Sequence, residues 1–272
     1  GTAVVTQKTQ LFGSDTVSGG TFAFTNKNAS TGDKVVTVSG VTLNDGNDGK
    51  NYTVEYVNNT TSTITQAALT LTANSDTSKV YNGSEQSVSG FAITSGSLQG
   101  TDSLAVDLAS ITAGAQATHA GTHTSTVNDS AYTNGNYAIT KVNGTLFIDQ
   151  KEVSLAAAKT YDGSKTLTGT QLSITTGVGS ETLGYTLATI HSKNVGDNSS
   201  NFVDAVSLSN GSNGGLASNY KLPALTASVN NSVVLTAKAL TGAIADVTTT
   251  YGTATATGAV SLSGKVGTDD VL

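Results

Sequence analysis

The sequence predicts a mainly β chain with little helix, laid out as tandem small modules in an elongated array. Three observations carry this: short runs in which apolar and polar residues alternate, Gly/Asn/Asp clusters between them, and two landmarks that recur along the chain. Alternation is clear in Tyr52-Thr-Val54-Glu-Tyr56, Leu69-Thr-Leu71, Leu104-Ala-Val106-Asp-Leu108 and Val153-Ser-Leu155. Each reads as a half-buried strand, and the abundant Thr and Val favour that conformation. Ala-rich stretches are short and interrupted by β-branched residues. Room is left for one short helical turn near Asp102–Ala113 or Ser180–Ser192.

The first landmark is Lys79-Val-Tyr81-Asn82-Gly83, repeated as Lys159-Thr-Tyr161-Asp162-Gly163 and more loosely as Thr249-Thr-Tyr251-Gly252. The second is an Asn-Tyr pair at Asn51-Tyr52, Asn136-Tyr137 and Asn219-Tyr220. Successive copies lie 80 to 90 residues apart, which sets the module size. Asn-Gly and Asp-Gly are strong hairpin signals, because a type I′ turn requires positive φ at both central residues. A Tyr just before such a turn is expected to bury its ring and bond its hydroxyl to backbone, a structural role. Each Asn-Tyr is expected to turn the chain into a core strand.

Composition bounds the function. The 272 residues include 30 Gly, one Pro, and no Cys, Met, Trp or Arg. Nineteen carboxylates against thirteen Lys give a net charge of −6. An acidic chain with scattered Lys makes a poor phosphate-binding surface, so nucleic acid is not an expected partner. No apolar run approaches the ~18 residues of a transmembrane span, and none is expected. The opening Gly1-Thr-Ala-Val-Val lacks the basic and apolar regions of a targeting peptide. Disulfides and thiolate metal sites are excluded by the lack of Cys.

Motifs for chemistry are sparse. His119-Ala-Gly-Thr-His123 has a spacing that pairs zinc ligands on a helix, but on a strand the rings would sit about 13 Å apart. His191 belongs to another repeat. Glu55, Glu85, Glu152 and Glu181 are scattered and form no acid/base pair. The acidic loop Asn44–Asn51 offers Asp45, Asn47 and Asp48 as a calcium candidate, although the distal bidentate Glu of a calcium loop is missing. The alternative is a solvated Asx-rich turn. Gly211-Ser-Asn-Gly214-Gly215 is expected to precede a strand, so it offers no helix dipole to a phosphate. Ten Asn-x-Ser/Thr sequons, among them Asn28, Asn82 and Asn198, are a mild excess over chance and candidates for glycosylation. No catalytic residue, no cofactor and no enzyme activity are expected.

Tyr161-Asp162-Gly163, followed by Val195-Gly196-Asp197 and Ala217-Ser-Asn219-Tyr220, resembles the YDG repeat of large bacterial surface adhesins. Gly32-Asp33-Lys34 through Asn51-Tyr52 resembles the closing half of the same repeat. Residues 69–148 resemble the companion MBG module, and the tail from Ala237, with Tyr251-Gly252-Thr253 and Thr257-Gly258, resembles the start of a further MBG module of the YGX type. Asn82 departs from the Gly that a YGX module carries after its Tyr. The resemblance implies β-grasp-like or β-sandwich-like modules over 1–66, 67–149, 150–236 and 237–272, cut from a longer array. It further implies a filamentous-haemagglutinin-like protein of the two-partner-secretion type, at the cell surface or secreted. The expected role is a stalk or spacer in adhesion, biofilm formation and virulence. Contact with host or matrix glycans and proteins would then fall to regions outside this segment, and neighbouring repeats would be the immediate partners. Binding of glycan or mucin by the modules themselves, or their self-association, is the alternative.

Overall fold

The structure, a computed structural model, describes residues 11–254 and 258–270. The readings on Gly1–Val5 and Thr257 lie outside them. As predicted, the chain is mainly β, built from several small sheets. It divides into two compact units, the first from Gly1–Ser75, Val88–Ala115 and Thr124–Thr145, the second from Asp76–Ser87, Gln116–His123 and Leu146–Leu272.

In the first unit, the long strand Ser30–Asn44 pairs antiparallel with Thr16–Phe24 on one edge and Asn59–Ile64 on the other. Next to it, Ala67–Ala73 lies between Phe91–Ser95, antiparallel, and Tyr137–Val142, parallel. The Leu69-Thr-Leu71 alternation works as predicted: Leu69, Leu71 and Ala73 are buried on one face with Leu108, Ile111 and Tyr137. Strand alternation fails in two places. Leu104–Asp107, read as strand, forms instead a single helical turn in one of the two stretches with room for it, closed by the Asp107 N–H bonding Ser103 O at 2.8 Å. Only Leu108 enters the core there, and Leu104 and Val106 face solvent. Tyr52–Tyr56 is in no ladder. The neighbouring edge of Ser30–Asn44 is met by Asn59–Ile64 only as far as Val36, and at Val41 the Tyr56 hydroxyl takes the N–H instead.

The second unit repeats the plan. Ser154–Thr160 lies between Leu172–Thr175, antiparallel, and Asn231–Thr236, parallel. Leu183–Ile190 and Val203–Asn210 form an antiparallel ribbon with two register shifts. The parallel pairing Lys151↔Tyr220 corresponds to Ala67↔Tyr137 in the first unit. Asp76–Val80 runs parallel to residues 146–149. Alternation from Leu155 and Ala157 continues to Lys159, whose ammonium is drawn inward. It donates to Ser164 O and Thr166 O, each at 3.0 Å, and pairs with Asp162 at 2.8 Å, which compensates its burial. Gly211–Gly215 is a closed turn leading into the 3-10 turn Ala217–Asn219, not directly into a strand as expected.

Candidate functional site

The two landmarks converge on acidic residues that the sequence reading left without a role. Four short turns share one pattern, an opening residue followed by Gly, Ser or Thr, and an acid: Phe12–Asp15, Gln99–Asp102, Val178–Glu181 and Val266–Asp269. In each, the N–H of the acid bonds the carbonyl of the opening residue at 3.0–3.1 Å. Positive φ at the first central position, 60°, 59°, 45° and 52° at Gly13, Gly100, Gly179 and Gly267, is the mark of a type II′ turn and selects Gly there. Each turn ends by presenting a carboxylate to tyrosines.

Every Asn-Tyr tyrosine donates its hydroxyl to such a carboxylate. Tyr52 reaches Asp15 at 2.6 Å, Tyr137 reaches Asp102 at 2.7 Å, and Tyr220 reaches Glu181 Oε2 at 2.7 Å. The Tyr52 and Tyr137 hydroxyls also accept the N–H that opens the turn, from Phe12 at 2.9 Å and Gln99 at 2.8 Å. Two of the Tyr-x-Gly tyrosines reach acid turns from farther away in sequence. Tyr81 donates to Glu181 Oε1 at 2.7 Å across 100 residues, and Tyr161 donates to Asp269 at 2.8 Å across 108. Glu181 therefore takes two phenols, one on each oxygen, and the rings of Tyr81 and Tyr220 meet edge to face at 5.4 Å. Bonds to a charged acceptor are the stronger kind, so these contacts weigh more than the backbone contacts expected from sequence.

The rest of both landmarks serves this joint. Asn82 and Asp162 do not make type I′ hairpins. Their side chains accept the N–H two residues on, from Ser84 and Ser164 at 2.9 Å, as Asx turns, and only the Gly has positive φ. A Cβ on Gly83 would lie 2.7 Å from Val178, and one on Gly163 2.8 Å from Val266, so each glycine lets its turn press on the first residue of an acid turn. The Asn of the second and third Asn-Tyr pairs bonds an earlier bend. Asn136 accepts from Ala29 N at 2.8 Å and donates to Asn28, while Asn219 accepts from Ala120 N at 3.1 Å and donates to His119 Nδ1.

That contact also places the histidines. His119 sits in the bend before Gly121 and His123 in the strand Gly121–Asn128, with His123 Nε2 2.9 Å from His119 O. They do not share a strand as expected, because the chain turns between them. His191 stacks on Phe202 at 4.5 Å. In the acidic loop, Asp45 accepts the N–H groups of Asn47, Gly49 and Asn51, and Lys50 pairs with Asp48 at 3.4 Å. Among the described residues, no three His, Asp or Glu side chains are arranged to hold a metal ion. Tyr251 is fully exposed.

The YDG domain family matches residues 1–62 and 148–229, more than half of the chain. The chain belongs to the YDG domain family. Comparison with curated proteins and with solved structures finds no match. The two YDG matches contain the joints built on Asp15–Tyr52 and Glu181–Tyr220. The segment between them, outside the family match, carries the same joint at Asp102–Tyr137.

Acid turns were legible in the sequence as a third landmark, Gly-Ser/Thr-Asp/Glu, recurring 79 to 88 residues apart. Each acid pairs with a tyrosine 35 to 108 residues away, so no two members of a joint are neighbours in sequence. The joint has a pH signature. Burial first, then the Glu181 carboxylate, pushes the Tyr81 phenol up to about 12 and raises that of Tyr220 as well. A raised phenol pKa contributes stability that is fully present below the unfolded value, about 10, and is lost as pH rises through the folded value. Urea unfolding midpoints of the second unit should hold from pH 8 to 10 and fall between 10 and 12. In Tyr81→Phe the fall should be shallower.

Proposed function

We propose that the chain is a structural repeat segment, a stalk or spacer, of a bacterial cell-surface or secreted adhesin, projecting a binding region carried elsewhere. The observation that supports this most directly is that the recurring polar side chains are spent on tying the chain to itself. Landmark tyrosines bond carboxylates 35 to 108 residues away, and Asn136 and Asn219 bond bends 99 to 108 residues away. Membership of the YDG family and the small, weakly charged modules fit the same role. A repeat array sets reach by adding units that contact their neighbours. Lack of Cys suits a chain exported unfolded, since no periplasmic disulfide can form to block its passage. No helix among the described residues is long and apolar enough to cross a membrane.

The test separates spacing from binding. The chain is placed between a bacterial surface anchor and a carbohydrate-binding domain of known ligand, in one, two and three copies. Capture of the ligand through a dense capsule should improve with copy number, and the isolated chain should leave glycan and mucin surfaces blank. Saturable binding of the isolated chain to one glycan would overturn the reading.

A further inference from the structure

We propose that a second copy of this chain docks on the first unit. In this contact, residues 247–252 of one copy add as a parallel strand to the outer edge of Asn59–Ile64 in the other, and Tyr251 seats against Asp102. The inference stands on the repeated joint alone and goes beyond the spacer reading.

The chain shows the docked arrangement twice within itself. The strands leading to Tyr81 and Tyr161 run parallel to residues 146–149 and to Asn231–Thr236. Each tyrosine N–H then bonds the last residue of its partner segment, Asp149 O or Thr236 O, at 2.8 Å. Asn59–Ile64 is the matching acceptor. Gln66, just after it, bonds Gly135 O at 2.9 Å, as Gln150, after residues 146–149, bonds Ser218 O at 3.0 Å. Among the described residues, however, Asn59–Ile64 is paired on one edge only. Among those residues its other edge is open to strand addition, in which main-chain bonds supply affinity and a side-chain pocket supplies selectivity.

That pocket exists at Asp102. A cavity of about 240 Å³ is lined by Lys27, Ala29, Gln99, Asp102, Asn136 and Tyr137, among others. At Glu181 the corresponding position holds the Tyr81 ring, bonded to one carboxylate oxygen while Tyr220 holds the other. At Asp102, Tyr137 takes Oδ2, and among the described residues Oδ1 pairs only with the exposed Lys27 ammonium, 3.8 Å away. A neutral phenol can enter there without burying a new charge. Tyr251 is the member of the Tyr-x-Gly series with no acid partner among the described residues. It is fully exposed, and the strandless stretch before it is also exposed. Gly252 has φ +87°, matching Gly83 at +79° and Gly163 at +78°, so the turn already has the shape of the docked ones. Donor and acceptor surfaces differ, so the contact is head-to-tail and mass should grow with concentration.

Sedimentation velocity on the full chain, from micromolar to millimolar, reads this directly. The weight-average mass should rise with concentration. Tyr251→Ala, at an exposed site that leaves the far-UV spectrum unchanged, should weaken association about tenfold or more. Because the chain has no Cys, placement is read by mixing a Thr65→Cys copy with a Thr250→Cys copy and adding a short bismaleimide. The Val80↔Asp149 register puts these two positions side by side, and a cross-linked dimer should dominate over that from a Thr65→Cys and Ser14→Cys mixture. A chain monomeric at every concentration, association undiminished by Tyr251→Ala, or equal cross-linking in the two mixtures would each overturn the proposal.

Discussion

Replacing Glu181 with alanine should lower the stability of the second unit by about 3–5 kcal/mol, because two buried phenols lose their acceptor at once. Tyr81 and Tyr220 are 3% and 2% exposed, so water cannot stand in for the carboxylate. The loss is a large share of the ~5–15 kcal/mol that holds a domain together. Glu181→Gln should recover part of it, since its single carbonyl oxygen accepts from one hydroxyl, while its NH2 can only donate to the other phenol oxygen and leaves that phenol's proton without an acceptor. Urea unfolding followed by tyrosine fluorescence gives the numbers, and a double-mutant cycle gives the cause. In the wild-type background Tyr81→Phe should destabilise by about 1–2 kcal/mol, and in the Glu181→Ala background it should be neutral or stabilising. Equal effects of Tyr81→Phe in both backgrounds would show that the clamp is not a unit.

Asn231→Ala should cost the same unit about 3 kcal/mol, through a different device. The Asn231 amide is fully buried and stands in for a strand partner: its Oδ1 accepts the Val203 N–H at 2.8 Å and its Nδ2 donates to Val203 O at 2.9 Å. Truncation leaves both backbone groups of a buried residue unpaired, the costly case for a lost hydrogen bond. Asn231→Asp should cost at least as much, since a carboxylate would face the Val203 carbonyl with no donor to offer. Hydrogen exchange at the Val203 amide is the local readout. Its protection should drop in both variants while that of amides in the first unit stays unchanged. Unaltered protection at Val203 would sink this account.

Neither device could be read from local pattern, yet much around them could. Alternation located the core face of Ala67–Ala73 and of Ser154–Thr160 because a buried face needs apolar residues at period two. It misassigned Leu104–Leu108 and Tyr52–Tyr56 because pattern alone does not say whether a ladder partner is in reach. At Tyr56 the available donor, Val41 N–H, meets a side-chain hydroxyl instead of backbone. The landmark tyrosines were expected to bond backbone, and their hydroxyls bond carboxylates instead. The acids were overlooked because a carboxylate 35 to 108 residues away leaves no local trace beyond its own turn.

By itself, then, the sequence determined the β class, the repeat length and the identity of the landmark residues, since periodicity, turn chemistry and recurrence are one-dimensional signals. Only the tertiary structure decided which groups those landmarks serve. It set Tyr81 and Tyr220 on the two oxygens of one glutamate, aimed Asn219 at the bend before Gly121, and left Tyr251 in solvent. The physical reason is that a hydrogen bond is settled by positions within about 3 Å in space. Parallel pairing brings such positions together from repeats that the chain order keeps apart.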